Sequence, residues 1–454
     1  MKQYIFCLVM FVLLLGWICP QQAVAAKGTE ESEIPAIRVG IWSNQPNLLV
    51  NTDTDFNIID ADTAQRLGRY GSGDRVAIGI KDGVITLNGV KVKATSLAIT
   101  VDEDATKHPI EVNRKKYRGT MEFHRTHNKS GLTAVNTLSV EEYLYGVVPK
   151  EISPEWNREV LKAQAVAART YAMANMRKFA SDGYDVCPTT ECQVYAGLNS
   201  EAVQTNQAVD ETAGLVLTYQ GNPISAVFHS SSGGRTEDSE AVWGTVTPYL
   251  KSVIDYDQKS PNYSWEKRFT AAQVDTALKR GGCQIGHIQA FELSILKEKA
   301  KSPVGETTVD RGISGRLKDL RLIGSAGSLE LSGNKFRSML NLPSTLFDIQ
   351  IMVASPEKLE FDISGDYGSA TKEVPAKLPM FPQRKNPGDG ENIRRLLNDP
   401  KEVIVIRGYG YGHGLGLSQW GAKAMADKAP VSDSFYFRQI LKHYYQGVEI
   451  TKFY

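Results

Sequence analysis

One carboxyl group and two cations near the middle of the chain have residue types and spacing suited to proton transfer and ligand binding. Glu151 is a lone carboxylate, and a carboxyl group can act as a general acid or a general base. Lys162 and Arg169 follow it and are seven residues apart, which places them on a common face of a helix. A carboxylate in this position can equally be an exposed loop residue, so both interpretations stay open at this point.

A helix is needed to position the two cations, and the sequence predicts where it begins. Ser153 is a suitable N-cap because its hydroxyl can accept from free amides of the first turn, and Pro154 suits the next position. Further along, small and apolar residues recur at helical spacing: Leu161, Ala165, Ala168 and Ala172. This narrow seam predicts close packing of the helix against a sheet or a second helix.

A second group of polar residues follows an apolar run. Residues 224–228 predict a buried strand, and the chain then continues as His229, Ser230, Ser231 and Ser232 followed by two glycines. Such a sequence places polar groups at a sheet end, where a ligand can approach the backbone, although a flexible turn without a chemical role is the alternative. A serine hydrolase is disfavoured because the chain has no G-x-S-x-G motif.

Glycine occupies every second position from Gly408 to Gly416, and His413 lies between two of these glycines. As a strand, this pattern would have one bare face, which another backbone segment or a flat ligand must approach closely. Ser418 then predicts the N-cap of a helix that begins at Gln419. The surrounding residues do not complete a phosphate-binding loop, so nucleotide binding is rejected.

Length and charge set the broad class. The chain has 454 residues, enough for two or three domains, and its 52 Lys and Arg residues balance 51 Asp and Glu residues. Nothing in this balance indicates a nucleic-acid binder, so no nucleic-acid partner is expected.

The N-terminus has the features of an export signal. Lys2 precedes an apolar run, and Ala23-Val24-Ala25 has the small-x-small form that a signal peptidase accepts. We predict that residues 1–25 are a signal peptide, with an uncleaved membrane anchor as the alternative. The protein is therefore expected outside the cytoplasm, secreted to the wall or anchored at the outer face of the membrane, which it would contact only through this leader.

The pattern of elements predicts an α+β fold. Residues 37–115 consist of β-branched runs broken by Gly, Asn and Asp turns and predict a β-rich N-terminal module. Residues 116–454 predict a mixed α/β core that holds the long helix after Glu151. Residues 355–399 are rich in Pro, Gly and Lys and predict a long surface insertion in this core.

Cys187 and Cys192 are five residues apart in an exported chain. This spacing permits a small disulfide loop or two thiolate ligands of a metal, and the sequence does not decide between them.

Several uncommon strings occur in one order: VVPKEISPEW, LKAQAVAARTYA, CQVYAG, HSSSGG with a Trp soon after, LPSTLFDI and GYGHGLGLSQWGA. Together they strongly resemble the stage II sporulation protein D and amidase-enhancer family. The resemblance extends from about Ile37 to the C-terminus, with the insertion poorly matched.

The resemblance implies a protein that acts on bacterial peptidoglycan during sporulation and engulfment. It implies a lytic transglycosylase that cleaves peptide-stripped glycan strands beside a cell-wall amidase, or a non-catalytic protein that enhances such an amidase. By position, Glu151 matches the catalytic glutamate. Further matched positions are expected to contact the saccharide: Lys162, Arg169, Tyr195, His229, Ser230, Ser231, Ser232, His413 and Gln419.

No cofactor is required by this chemistry, although some relatives hold a structural zinc ion near the CQVY motif. Cys187 and Cys192 would be the zinc ligands here, but Glu191 replaces a histidine ligand of such relatives.

A single carboxyl group can cleave a glycosidic bond without water. It protonates the leaving oxygen and then removes the proton of the C6 hydroxyl, which closes a 1,6-anhydro ring, whereas ordinary glycosidases use two carboxyl groups. To act as an acid near neutral pH, Glu151 needs a raised pKa, hence an apolar environment. We therefore expect Lys162 and Arg169 to hold saccharide oxygens rather than to pair with Glu151.

Overall fold

A computed structural model describes residues 33–101, 107–299, 302–303, 307–353, 358–365, 368–375, 381–382, 390–397 and 399–454. The predicted leader at residues 1–25 lies outside these residues, as do several segments of the predicted insertion. None of the helices in the described ranges is both long and apolar enough to span a bilayer. The described residues combine helices with many strands, which confirms the predicted α+β class.

The N-terminal part is built from β-strands that alternate buried and exposed side chains. They are β1 (Ala36–Gln45), β2 (Asn47–Thr52), β3 (Phe56–Asp60), β4 (Arg66–Tyr70), β5 (Val76–Lys81), β6 (Val84–Leu87), β7 (Val90–Lys91), β8 (Ser96–Val101), β9 (Ile110–Val112), β10 (Lys115–Tyr117), β11 (Thr120–Arg125) and β12 (Leu132–Ser139).

These strands form two antiparallel sheets of six strands, in the orders β1-β12-β11-β8-β3-β4 and β10-β9-β2-β5-β6-β7. Their buried residues share one apolar core with the helices that follow. β11 and β12 come after residue 115 yet pair with β8 and β1, so the first sheet includes strands from both sides of the predicted module boundary.

Helix α1 (Val140–Glu151) follows β12 directly. Its N-cap is Ser139, whose hydroxyl accepts from the backbone of Glu142, while the Glu142 carboxylate accepts from the Ser139 backbone. This reciprocal capping box begins α1 fourteen residues before the predicted helix start at Pro154, and Glu151 is the last residue of α1.

Helix α2 (Arg158–Ala174) begins at a different cap from the predicted one. The side chain of Asn157 accepts from the backbone N–H of Glu159, at 2.9 Å, so Asn157 is the N-cap. The prediction of Ser153 as the cap is wrong, because the extended backbone of Ile152 ends α1 and Ser153 lies in the connection between the two helices.

The predicted small-residue seam is confirmed on α2. Its residues are buried in the core that α2 shares with α1 and the sheets: Leu161, Ala165, Ala168 and Ala172. On another side of α2, Ala163, Val166 and Ala167 pack in a second core with the C-terminal helices. Small side chains allow the neighbouring backbones to approach α2 closely on both sides.

The remaining elements follow in chain order. They are α3 (Val203–Glu211), β13 (Leu215–Tyr219), β14 (Asn222–Pro223), β15 (Phe228–His229), α4 (Ser239–Trp243), β16 (Ser264–Phe269), α5 (Ala271–Arg280), β17 (Ile288–Glu292), β18 (Glu298–Lys299), β19 (Ser302–Pro303), β20 (Asp319–Gly324), β21 (Gly327–Ser332), α6 (Gly333–Met339), β22 (Phe347–Val353), β23 (Lys358–Gly365), β24 (Gly368–Pro375), β25 (Phe381–Pro382), β26 (Ile393–Arg395), β27 (Glu402–Tyr409), β28 (Leu417–Ser418), α7 (Gln419–Ala426), α8 (Phe437–Tyr444) and β29 (Glu449–Lys452).

These strands form smaller sheets, ordered β14-β13-β29, β16-β27-β22-β25 and β21-β20-β17-β26, with the pairs β15-β28, β18-β19 and β23-β24. The predicted strand at residues 224–228 is only partly formed. The N–H groups of Ala226 and Val227 bond to the carbonyls two residues earlier, so this buried segment turns and only Phe228–His229 pairs as a strand.

The alternating glycines do not form the predicted continuous strand. β27 ends at Tyr409, and the next glycines, beginning with Gly410 and Gly412, have positive φ angles of 71° and 114°. A Cβ atom on Gly410 would lie 2.6 Å from the carbonyl oxygen of Ser231, and one on Gly412 would lie 2.7 Å from the Cβ of His229. Glycine is therefore required because another backbone segment approaches, which was the alternative left open.

Candidate functional site

A cavity of about 430 Å³ lies where the end of α1, the Cys192 region and the two C-terminal motifs meet. Its lining residues are Glu151, Tyr171, Thr190, Glu191, Cys192, Val227, Phe228, His229, Ser230, Trp243, Tyr411, Gly412, His413 and Gln419. The structure thus brings together Glu151, His229, Ser230, His413 and Gln419 from the predicted set. A concave site of this size with a few polar groups among apolar ones is typical of ligand binding.

The carboxyl group of Glu151 is largely buried at the end of α1. One of its oxygens accepts a hydrogen bond from the backbone N–H of Val194, at 3.1 Å. Burial raises the pKa of Glu151 above its ordinary value, and the Val194 bond only partly opposes this effect. Across the described part of the chain, no cation forms an ion pair with Glu151. This environment favours the protonated form that a general acid needs.

His229 and His413 face each other in the cavity wall, with ring centroids 5.4 Å apart. Nδ1 of His229 lies 3.0 Å from the carbonyl oxygen of Leu415, so Nδ1 carries the proton and Nε2 is an acceptor. Nε2 is buried and has no hydrogen-bond partner among the described residues. Burial, followed by the charges of His413 and Arg316, lowers the pKa of His229 well below its ordinary value, so the ring is neutral.

His413 has both ring nitrogens satisfied. Nε2 donates to the carbonyl of Phe228, at 3.1 Å, and Nδ1 accepts from the backbone N–H of Leu415, at 3.0 Å. Burial and then Arg316 lower the pKa of His413 to about 4. His413 therefore fixes the backbone beside His229, while His229 retains the free acceptor.

The three predicted serines divide between the cavity and the interior. Ser230 lines the cavity. Ser231 and Ser232 are fully buried and donate from their hydroxyls to Asp257, at 2.5 Å, and Asp255, at 2.6 Å. The structure does not place these two serines at the cavity, where they were predicted to contact saccharide, because both hydroxyls donate to buried carboxylates.

Asp255 and Asp257 form a buried support behind this wall. Asp257 accepts from the backbone N–H groups of Gly233 and Gly234, both at 2.8 Å, and Asp255 accepts from Tyr444, at 2.7 Å. Burial, followed by the charge of Asp257, raises the pKa of Asp255 to about 6. Through Asp255, these bonds join Ser232 to Tyr444 of helix α8.

Lys162 does not reach the cavity. It is buried, and its ammonium lies 2.9 Å from Glu159 and 3.3 Å from Glu211. It also donates to the carbonyl of Ser434, at 2.9 Å. These partners satisfy its charge, so the structure gives Lys162 a packing role instead of the predicted contact with saccharide.

Arg169 is fully buried in a bidentate ion pair with Glu141, with nitrogen–oxygen distances of 2.9 and 2.7 Å. It also donates to the carbonyls of Val209 and Leu215. Burial acts to raise the pKa of Glu141, but Arg169 outweighs it and lowers the pKa below its ordinary value. The predicted saccharide contact of Arg169 is therefore replaced by a structural ion pair.

Tyr195 is also buried and lies outside the cavity lining. Its hydroxyl donates to the side chain of Asn136, at 2.8 Å, and its ring packs against Tyr143 and Tyr117. A Cβ atom on Gly146 would lie 2.5 Å from the Tyr195 ring, so α1 and this ring are in close contact. Tyr195 thus supports the segment that presents Val194 to Glu151 instead of touching a ligand in the cavity.

Cys187 and Cys192 are free, buried thiols whose sulfur atoms lie 2.7 Å apart. Two thiolates on a tetrahedral zinc ion, each at about 2.3 Å, would lie about 3.8 Å apart. In the ranges that the structure describes, no group of three or more Cys, His, Asp and Glu residues is arranged to hold a metal. This donor set does not fit a zinc site, and the disulfide stays a prediction.

Aromatic side chains of the cavity occur in or near the quoted strings but were not among the predicted saccharide contacts. Trp243 and Tyr411 are about half exposed at the cavity, and the Trp243 ring lies 5.8 Å from that of His413. Tyr171 projects from α2 into the same space. A Trp and a Tyr exposed beside buried polar groups are a signal of a binding surface, but it appears only once the fold exposes them.

The chain is similar in sequence to several known proteins. Residues 128–219 match the family described as "Stage II sporulation protein". The stage II sporulation protein D of Bacillus subtilis is 30% identical over 345 residues, which cover 72% of this chain and 78% of that protein. The corresponding protein of Bacillus amyloliquefaciens is 31% identical over 346 residues, with the same coverage.

The "Amidase enhancer" of Bacillus subtilis is 30% identical over 392 residues, or 82% of this chain. The matched region spans 49% of that relative, so this chain covers about half of its length. The chain belongs to the stage II sporulation protein D and amidase-enhancer family.

Proposed function

We propose that the protein is a lytic transglycosylase that cleaves peptide-stripped peptidoglycan strands outside the cytoplasm, in sporulation or in related wall remodelling. The observation that carries the proposal is the state of Glu151. Its carboxyl group lines a cavity, and burial raises its pKa. Among the described residues, no cation forms an ion pair with it that would lower the pKa. The names of the relatives support the sporulation setting.

In the proposed reaction, the protonated carboxyl group of Glu151 donates its proton to the glycosidic oxygen as the bond to the anomeric carbon breaks. The carboxylate that results then takes the proton of the C6 hydroxyl, whose oxygen bonds to the same anomeric carbon and closes the 1,6-anhydro ring. Glu151 ends protonated, as it began, and no water is consumed. The Val194 N–H supports the carboxylate between these two transfers.

Other cavity groups have properties suited to holding a glycan strand. Trp243 and Tyr411 offer exposed ring faces on which a sugar can lie. These contacts would place the glycosidic bond near Glu151.

A second carboxylate in the cavity lining distinguishes a one-carboxyl mechanism from a hydrolase that uses two carboxyl groups. Glu191 also lines the cavity, but its side chain is 65% exposed and lies 4.0 Å from Lys178. A hydrolase with two carboxyl groups would need both residues and would release reducing ends, whereas the proposed reaction needs Glu151 alone and releases anhydro ends.

The test incubates the purified chain, Glu151→Gln and Glu191→Gln with peptide-free glycan strands and weighs the products by mass spectrometry. We expect anhydro-ended fragments from the unaltered chain and from Glu191→Gln, and none from Glu151→Gln. Absence of anhydro ends with the unaltered chain would refute the enzyme proposal. Products that contain only reducing ends would indicate hydrolysis.

A non-catalytic role is the second candidate, because one relative is named an amidase enhancer. In that case the cavity binds glycan strands, and the protein stimulates an N-acetylmuramoyl-L-alanine amidase. The rate of peptide release by such an amidase would then rise equally with the unaltered chain and with Glu151→Gln. Stimulation that disappears in Glu151→Gln would instead tie it to cleavage of the glycan.

A further inference from the structure

A second concave surface lies at one end of the two N-terminal sheets, away from the proposed catalytic residues. This sheet-end groove has a volume of about 1270 Å³. It is formed by the ends of β3, β6 and β11 and by the β5–β6, β7–β8 and β11–β12 connections. It contains none of the residues that line the cavity around Glu151. The groove is large enough for several residues of an extended ligand.

The rim of the groove carries free positive charge. Lys93, Arg125 and Lys129 are exposed, and no hydrogen bond or ion pair engages their charged groups within the described ranges. His124 adds no charge near neutral pH, because burial lowers its pKa and outweighs the opposing effect of the bond from Nε2 to the carbonyl of Asp182. Three cations thus line the groove without a partner among the described residues.

The carboxylates of the groove are already engaged. Asp60 accepts from the backbone N–H groups of Asp62, at 2.8 Å, and Thr63, at 3.0 Å. Asp62 accepts a hydrogen bond from the hydroxyl of Thr95. Each of these hydrogen bonds comes from a neutral donor, so Asp60 and Asp62 keep their negative charge, but the three cations outnumber the two carboxylates. The lining therefore has an excess of positive charge, and an external anion is the complementary ligand.

Part of the groove surface is apolar and made of small side chains. Val84 is 37% exposed, and the partly exposed Val92 and Ala94 also line the groove, while Ile85 beneath them belongs to the buried core. Because a phosphodiester polymer of simple polyols has no apolar side chains to cover this surface, it would use only the cations. A short peptide with methyl side chains and several carboxylates would use both features.

We propose that the sheet-end groove binds a short acidic peptide that carries small apolar side chains. The stem peptides of peptidoglycan have this chemistry, with alanyl methyl groups and free carboxylates, and their selection as the source rests on the proposed function. The protein would then hold the peptide component of the wall at one end of the β-sheets and the glycan component in the cavity around Glu151.

The proposal is tested by titration calorimetry with the full chain and the synthetic N-acetylated peptide acetyl-Ala-γ-Glu-diaminopimelate-Ala-Ala, whose carboxylates outnumber its ammonium group. We expect saturable binding that Arg125→Ala and Lys129→Ala each weaken by about tenfold, since each loses a charge-assisted contact. Val84→Asp places a carboxylate at the exposed apolar surface and should weaken binding by more than tenfold. Lys279→Ala, the matched control on an exposed lysine at the end of α5, should leave the affinity unchanged.

Three results would overturn the proposal. They are the absence of saturable binding to the unaltered chain, equal weakening by Lys279→Ala, and equal binding of the same peptide with its carboxyl groups converted to amides. Tighter binding of polyglycerol phosphate with the same dependence on Arg125 would also overturn it and would identify a site for anions alone.

Glu151→Gln separates this proposal from the proposed function. We expect that variant to bind the peptide like the unaltered chain, and Arg125→Ala to cleave peptide-free glycan at the unaltered rate. If the glycan assay fails while peptide binding behaves as stated, only the proposed function falls.

Discussion

Helix α2 and the wall of the cavity handle buried charge in opposite ways. On α2, the guanidinium of Arg169 is fully buried and meets a bidentate carboxylate and two backbone carbonyls. At the cavity, the carboxyl group of Glu151 is largely buried and meets one backbone N–H. The first group keeps its charge, and the second is pushed towards its neutral form.

The difference shows which buried polar groups hold the fold and which are available for chemistry. A buried ion whose donors are all satisfied cannot bind a ligand without breaking those bonds, and removing its partner is costly. A buried acid with few partners costs stability but can exchange a proton near neutral pH. Replacing one group from each class should therefore produce opposite patterns of activity and stability.

The largest effect is expected for Glu151→Gln. Loss of the proton donor should lower the rate of glycan cleavage by about 10²–10⁴-fold. The free energy of unfolding should not fall by more than about 1 kcal/mol, because the amide retains the shape and can still accept from Val194. Mass spectrometry of anhydro ends and denaturant unfolding measure the two quantities.

A variant of the second cavity carboxylate is the matched control for that experiment. Glu191→Gln removes an exposed carboxylate in the same lining and should retain activity within about threefold. An equal loss of cleavage in both variants would remove the distinction between a poised acid and an ordinary surface carboxylate.

Arg169→Ala should have the next largest effect, and on stability. It leaves Glu141 buried without its partner, which should lower the free energy of unfolding by about 3–5 kcal/mol. Unfolding in urea measures this change. The double variant Arg169→Met/Glu141→Leu should be less destabilised than Arg169→Ala, because no unpaired charge remains. A double variant as unstable as the single one would show that packing, not charge pairing, dominates at this site.

Much of the fold could be predicted from periodicity and composition. β-Branched runs separated by turn residues predicted the β-rich N-terminal part, and the small-residue spacing from Leu161 to Ala172 predicted the packed face of α2. The start of α2 could not be fixed, because Ser153 and Asn157 are both good caps and only the position at which α1 ends selects between them. The alternating glycines were likewise compatible with a bound ligand or with a neighbouring backbone segment. The sequence does not show that the backbone of Ser231 lies beside Gly410.

The site was predictable only in part, for a different reason. The family motifs selected Glu151, His229, His413 and Gln419, and the structure places all four in the lining of one cavity. A motif does not show which way a side chain faces, so the buried partners of Arg169 and Ser232 could not be predicted. These partners are distant in sequence and meet only after folding, and local spacing carries no information about them.

Asp255 is a second buried carboxyl group with a raised pKa, so its contribution to the stability of the fold should depend on pH. Burial and then Asp257 raise its pKa from 3.8 to about 6, so the folded state binds this proton more tightly than the unfolded state. The resulting stabilisation is present below pH 3.8 and is lost as the pH rises to about 6, with a total of about 3 kcal/mol. Unfolding measured between pH 4 and 7 should show this decline, and Asp255→Asn should flatten it. An unchanged slope in that variant would assign the proton to another group.

The smallest effect is expected at Cys187 and Cys192, where two buried polar groups are each other's neighbours. Their hydrogen bond lowers the pKa of Cys187 to about 6, which favours attack by its thiolate on an added disulfide reagent. Treatment of the folded chain with oxidised glutathione should remove two titratable thiols, release two equivalents of reduced glutathione and stabilise the protein by about 2 kcal/mol, as expected for a small closed loop. Cys192→Ser should abolish both changes. A bound zinc equivalent in the unaltered chain that is lost in Cys192→Ser would instead establish a metal site and show that both sulfurs move apart to hold it.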